Sequence, residues 1–281
     1  MYRYYSSFVF ILCGKDNEYN RLFINVNIFN VLINIVSADR RLPIMSELVK
    51  YELRDSVAII TMDDGKVNIM SIAMLQALHD AFEKAFQESS AIVLTGREGV
   101  FSAGFDLTVF TQGAKALLSM LTLGARLAER VMSSPVPVIT ACNGNCLPMG
   151  AFLMLSADYR IGALGDAKIG LNEVEIGLTM PQFAIEIARH RLTPSYFNRS
   201  VITAEMFNPI QAIEAGFLDE VVEVKNLLPK SLNVAARLAG LNKKAFRETK
   251  MKARSNSLDA LREAIESELT LDKVTRATSG Q

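Results

Sequence analysis

The sequence predicts an α/β fold, because short and almost wholly apolar strands alternate with amphipathic helices from about residue 47 to Pro181, beyond which nearly everything reads as helix. Strands apolar on both faces belong to parallel sheets covered by helices, whereas a strand with one wet face alternates. The 281-residue chain is 50% hydrophobic, enough apolar material for a sizeable core. Its 30 Lys and Arg balance 30 Asp and Glu. Nucleic-acid readers and binders of acidic membranes carry a basic surplus, so neither partner is expected.

Each element has its own signal. Alternating segments 47–53 and 56–62, broken at Arg54-Asp55, read as a β-hairpin, and Asp63-Asp64-Gly65-Lys66 reads as a turn. Leu75, Leu78, Phe82, Ala85 and Phe86 recur at helical spacing, with Ser71 placed to cap the start. Residues 91–95 form a continuous apolar strand stopped by Gly96, and 112–132 form a second helix with Leu117, Met120, Leu121, Leu127 and Val131 on its apolar face. Pro135 and Pro137 introduce a strand at 138–141. Asn143-Gly144 then reads as a tight turn into an apolar helix at about 149–156, and 159–162 and 168–171 read as further short strands. With no internal repeat or low-complexity linker after residue 45, the simplest division is one catalytic domain over 45–281, its helical C-terminal part starting at about 190.

Residues 1–44 are different in kind. They hold eight of the chain's aromatics (7 Tyr and 15 Phe in all) and six asparagines between Asn17 and Asn34. Asn25, Asn27, Asn30 and Asn34 interrupt the apolar stretch 22–36, whereas a membrane span needs about 18 or more nearly unbroken apolar residues. Leu42-Pro43-Ile44 offers no small-residue cleavage site for a secretory signal, and five Lys and Arg facing three acids match a mitochondrial presequence poorly. Met45-Ser46-Glu47-Leu48-Val49 reads like a fresh protein start. Residues 1–44 are therefore expected to be an extension outside the fold, from a misplaced start codon or, second, a targeting segment. The three cysteines include a close pair, Cys142 and Cys146, with no His, Cys or carboxylate cluster to complete a metal set. A reduced, intracellular protein is expected: cytoplasmic, or mitochondrial if residues 1–44 are a presequence.

Three segments follow strands, where α/β folds carry functional loops. Gly99-Val100-Phe101-Ser102-Ala103-Gly104-Phe105-Asp106-Leu107 lets backbone N–H groups turn inward toward a developing oxyanion, with Asp106 as a helix cap; it also reads as an ordinary tight turn. Ala141 to Gly150 delivers a helix N-terminus straight after a buried strand, which favours negative charge and equally serves as a plain strand-to-helix turn. In Ile169 to Gly177, followed by Met180-Pro181, Glu173 sits in an apolar setting that raises a carboxyl toward a useful general base. Glu175 points the other way if the segment is extended, and either glutamate alone is most simply a solvated acid.

Other chemistries find no support. Neither a Gly-x-Ser-x-Gly elbow, a phosphate-binding P-loop nor a Gly-x-Gly-x-x-Gly fingerprint is present. His79 reads as a solvated helix residue and His190 as a helix-end cation.

Taken together, Phe101-Ser102-Ala103-Gly104-Phe105-Asp106-Leu107, the strand from Pro137 through Asn143-Gly144, and Ser156-Ala157-Asp158-Tyr159-Arg160-Ile161 resemble the crotonase superfamily of enoyl-CoA hydratases and isomerases, over roughly residues 47–275. The stretches Gly99 to Thr108 and Ile169 to Glu173 look most like the mitochondrial type of Δ3,Δ2-enoyl-CoA isomerase. The resemblance implies a crotonase-like ββα spiral core with a helical C-terminal trimerisation part. It implies an acyl-CoA substrate, no further cofactor and no metal. It places the two oxyanion donors at the N–H groups of Phe105 and of Met149, where the family's Gly-Gly-Gly run reads Pro148-Met149-Gly150. Of the two glutamates that hold water in hydratases, the first position is Phe152 here and the second is Glu173, which makes Glu173 the expected base of an isomerase, with hydration, another acyl-CoA reaction or a non-catalytic acyl-CoA-binding protein as alternatives. Coenzyme A is expected along Ser102, Ala103, Gly104, Asp106 and Leu107 and near Gly150, with Lys66 toward the phosphates. Phe152, Met180 and Phe183 line the acyl pocket or belong simply to the core. The assembly implied is a homotrimer or a dimer of trimers.

Overall fold

In the computed structural model, which describes residues 8–9, 24–25 and 48–279, the chain forms two units, Met1–Ile44 and Met45–Gln281. In the first, β1 (Phe8–Val9) pairs antiparallel with β2 (Ile24–Asn25). The expectations for this segment otherwise fall on residues outside the described ones.

The second unit starts with the predicted hairpin, β3 (Val49–Arg54) and β4 (Val57–Met62), which turns at Asp55 with a φ of 55°, a region that Asp tolerates better than most residues. β5 (Ile69–Met70) and α1 (Ile72–Glu88) follow, the helix capped by the Ser71 hydroxyl accepting the Met74 N–H. Next come β6 (Ala91–Thr95), β7 (Gly99–Ser102), β8 (Gly104–Phe105), a 3-10 turn over Leu107–Thr111, and α2 (Ala114–Met132). The middle of the chain supplies β9 (Val138–Cys142), β10 (Gly144–Cys146), α3 (Pro148–Ser156), β11 (Tyr159–Ala163) and β12 (Ile169–Gly170). Beyond Pro181 lie α4 (Gln182–Arg191), α5 (Pro194–Val201), β13 (Met206–Phe207), α6 (Pro209–Ala215), β14 (Glu220–Val222), α7 (Leu227–Ala239), α8 (Lys243–Ala253), α9 (Ser255–Glu268) and α10 (Leu271–Ser279).

The main sheet has the order β14-β11-β9-β6-β4-β3 and is parallel except for the β3 edge. Its central strands are buried on both faces, as their apolar sequences require. Val93, Ile139 and Ile161 face a cluster with Leu227, Val234 and Ala235 of α7, while Ile92, Leu94 and Val138 join the larger core with α1 and α2. The C-terminal part corrects the all-helical reading: β13 and β14 lie within it, and helix begins at Gln182 rather than about 190. β14 is three residues long and exists through its pairing with β11, so no periodicity announces it. Gly144 is likewise strand rather than turn. It abuts the Gly99 backbone so closely that a Cβ would overlap the Gly99 carbonyl, which lets β10 pair with β7.

A buried electrostatic hub ties the C-terminal helices to the core. The Asp158 carboxylate accepts Lys250 Nζ at 2.8 Å, Arg254 Nη2 at 3.0 Å and the Val138 N–H at 2.8 Å. Arg160 pairs in a fork with Asp219, which Arg191 also approaches at 3.8 Å. Four cations thus face two carboxylates. Helix C-termini offset the surplus: Arg254 donates to the carbonyls of Met132 and Ser156 at the ends of α2 and α3, and Arg160 to that of Gly216, which caps α6. Burial among these cations draws Lys250 down to about 8 and Arg191 to about 10.

Candidate active site

β7, β10 and β12 run parallel and side by side, with Ser102 opposite Cys146 and Cys146 opposite Ile169. The chain therefore leaves three neighbouring strands at one level. Three residues past Ser102 lies Phe105, three past Cys146 lies Met149, and four past Ile169 lies Glu173. The carboxyl ends of parallel strands are where α/β layers place ligands. Sequence order supplied the three loops; the sheet register makes them neighbours.

The first loop is held from beneath. Ser102 is fully buried, its hydroxyl donating to the Asn68 carbonyl at 2.7 Å and accepting the Gly104 N–H at 3.1 Å. The Ser102 side chain thus supports the loop from within. The Ala103 N–H donates to the Val67 carbonyl at 2.9 Å, and β8 pairs with β5, setting Phe105 opposite Met70. Asp106 caps the 3-10 turn through the Thr108 N–H at 3.0 Å, and Leu107 is 53% exposed. Lys66 is exposed on a loop whose path Asp64 and Asn68 dictate. The Asp64 carboxylate accepts the N–H groups of Lys66, Asn68 and Ile69, and the buried Asn68 amide donates to Met62 and Phe101 carbonyls. Sequence reading missed both supports; the only signal was their place in a polar turn.

The second loop opens α3. The Leu147 N–H donates to the Ser102 carbonyl at 2.9 Å, tying the two loops together, and Pro148 fills the first helical position. The first intrahelical bond runs from Ala151 to Leu147, so the N–H groups of Met149 and Gly150 have no acceptor within the helix, and no side chain caps them. Such an end favours an oxyanion. Met149, Gly150 and Phe152 are buried, and a Cβ on Gly150 would come 2.6 Å from that of Ser102, so the approach of the two loops requires glycine there. Phe152 meets Phe183 edge-on with ring centroids 6.3 Å apart, and Met180 is buried.

Glu173 opens a tight turn, its carbonyl accepting the Leu178 N–H at 2.8 Å, before α4 begins. The segment is not extended, yet Glu175 still faces solvent while Glu173 is only 7% exposed. Glu173 Oε2 has no hydrogen-bond partner. Burial pushes this carboxyl up from 4.5 to about 7, against a smaller pull from its own backbone N–H. It is therefore poised to take and return a proton near neutrality. The start of α4 is fixed from afar, the Gln182 N–H donating to Glu268 at the end of α9.

Both histidines depart from expectation, and neither serves this site. His79 is half-buried, with Nε2 on the Leu123 carbonyl at 3.0 Å and Arg130 on Nδ1, and burial lowers its pKa. His190 is driven down to about 4 by burial beside Arg254 and Arg191, so it is neutral at pH 7 rather than a cation. Cys142 and Cys146 are free and buried, and among the described residues no group of His, Cys, Asp and Glu is arranged to hold a metal.

Comparison with known proteins places this geometry. The family model described as enoyl-CoA hydratase/isomerase matches residues 52–280. A solved enoyl-CoA hydratase/isomerase family protein from Pseudomonas syringae is 48% identical and superposes with a TM-score of 0.78, covering 80% of this chain and 98% of its own. An enoyl-CoA hydratase from Mycobacterium ulcerans is 40% identical, TM-score 0.77, over 81% of this chain and 99% of its own. The human mitochondrial enoyl-CoA delta isomerase 1 is 28% identical over 227 residues, which are 79% of this chain and 75% of that one. The crotonase fold implied by the three motifs is borne out, with the helical C-terminal part that goes with it. Matched from β3 to its last helix, the chain belongs to the enoyl-CoA hydratase/isomerase family.

Proposed function

We propose that the protein moves the double bond of a 3-enoyl-CoA to the 2 position, using Glu173 as the proton shuttle. The thioester carbonyl sits between the N–H groups of Phe105 and Met149. Glu173 removes a proton from C2, the dienolate charge rests on the thioester oxygen, and Glu173 returns the proton at C4. Loss of one such oxyanion donor typically costs about 3–4 kcal/mol of transition-state stabilisation. Coenzyme A runs along Ala103, Gly104, Asp106 and Leu107 and past Gly150, with Lys66 toward its phosphates.

One observation carries the choice of isomerisation over hydration. Glu173 is a lone buried carboxyl, free at Oε2 and raised to about 7, while the position that supplies a second glutamate in hydratases is the buried, apolar Phe152. Hydration needs two polar groups to orient a water; proton shuttling needs one base. Hydration is the second reading, because solved relatives 41% and 40% identical are named isomerase and hydratase respectively.

The pH dependence tests this assignment. Only ionised Glu173 accepts a proton, so kcat/KM on 3-hexenoyl-CoA is expected to rise about tenfold per unit below pH ~7 and to level off above it. A profile flat across that range would remove Glu173 from the base role.

The family match begins at residue 52, which supports assigning the acyl-CoA domain to 45–281 and leaving 1–44 outside it. Mass spectrometry of the natural N-terminus tests whether residues 1–44 come from a misplaced start or are a removed targeting segment, with intact Met1 as the result contrary to both. No helix among the described residues is long and apolar enough to cross a membrane. Assembly as a homotrimer or dimer of trimers belongs to the same reading and is measured by sedimentation.

A further inference from the structure

Gly124 lies in the interior of α2, a long helix in which glycine is less favourable than alanine. Its reason is steric. A Cβ at this position would fall 2.6 Å from Cζ and 2.8 Å from Cε1 of Phe105, and 2.9 Å from Sδ of Met149. The two residues proposed as oxyanion donors thus meet, through their side chains, on one bare stretch of helix. They come from different loops, one after β7 and one after β10. The helix is also pinned there: the carbonyl of Leu123, the preceding residue, receives His79 Nε2 from α1 at 3.0 Å. Ala125 and Leu127 anchor the same turn in the core.

We infer that Gly124 is a positioning residue that sets the separation and tilt of the two oxyanion donors. The inference rests on the proposed oxyanion hole but not on which reaction that hole serves. Adding one methyl group at Gly124 forces the Phe105 ring, the Met149 thioether, or both, away from α2. Met149 is fully buried, so its thioether has no open space to rotate into, and the displacement passes to the loop that carries its backbone N–H; a carbonyl oxygen then no longer meets both donors at hydrogen-bond distance.

The test uses the full chain with Gly124→Ala, Phe105→Leu and the double variant. Leu keeps the backbone N–H of residue 105 and lacks the two ring atoms that meet the new methyl. Two signals are read: turnover of 3-hexenoyl-CoA, and the red shift in absorbance of bound 2,4-hexadienoyl-CoA, which reports polarisation of the thioester carbonyl whether or not isomerisation occurs. Gly124→Ala is expected to lower kcat by about 100-fold, the order of loss for a reacting group misplaced by about 1 Å. It should abolish most of the red shift and leave thioester affinity within a few-fold. Adding Phe105→Leu is expected to restore at least half of the shift and part of kcat. Wild-type kcat and shift in Gly124→Ala overturn the inference. If Gly124→Ala folds poorly, the double variant decides, and a folded double variant without a restored shift also overturns it. A wild type that shows the shift but does not isomerise contradicts the proposed reaction alone. A wild type that binds without any shift contradicts the oxyanion hole and this inference together.

Discussion

Glu173→Gln is expected to abolish double-bond migration while leaving thioester binding nearly intact. General acid–base groups contribute about 10²- to 10⁴-fold, and a one-base mechanism has no substitute, so the loss belongs at the upper end of that range. Gln preserves the shape of the side chain and cannot accept the proton. The same substitution carries a second signature. Below pH 4.5 the Glu173 carboxyl is protonated both folded and unfolded, and no ionisation penalty opposes folding. As pH rises from 4.5 to about 7 the unfolded chain gives up this proton first, so folding is progressively disfavoured. Above that window the full penalty of about 3 kcal/mol stands in the wild type. The variant lacks this slope, and at about pH 8 it should be more stable than the wild type by about 1–3 kcal/mol in denaturant unfolding. Lower activity with no gain in stability would mean that Glu173 is not a strained, desolvated base.

Asp158→Ala is expected to cost about 3–5 kcal/mol of stability without touching the site chemistry. The substitution strands Lys250 and Arg254, whose side chains are 4% and 10% exposed, without their carboxylate. It also frees the buried Val138 N–H that Asp158 accepts. Lys250, already lowered to about 8 by burial, relieves part of the loss by shedding its proton. A double variant with Lys250→Met should therefore recover part of the loss, which a double-mutant cycle in urea measures. Additive losses would show that the two side chains do not act as a pair.

What the sequence disclosed and what it hid follow from the length scale of each signal. The helices at 72–88 and 114–132 and the strands at 91–95 and 138–142 announce themselves because burial on known faces imposes local periodicity or a continuous apolar run. β10 and β14 were hidden because each is three residues long and is created by its partner strand. Phe105, Met149 and Glu173 were singled out through motif resemblance. Their adjacency depends on the register Ser102–Cys146–Ile169, which no local pattern encodes. The segment Ser156 to Ile161 carried the resemblance, yet its charged members, Asp158 and Arg160, build the hub rather than the site. His190 misled because a basic residue at a helix end is ordinarily solvated, and its burial against α9 and Arg254 is a tertiary fact. Gly124 was visible only as an unfavourable residue in a helical pattern; its meaning required the positions of two distant side chains.

The most direct measurement incubates the purified chain separately with 3-hexenoyl-CoA and 2-hexenoyl-CoA and separates the products by chromatography and mass. The expected result is interconversion of the two isomers at unchanged mass, with no hydroxyacyl-CoA and no free thiol. A product heavier by one water, released coenzyme A, or tight binding with neither isomer converted would contradict the proposed isomerisation.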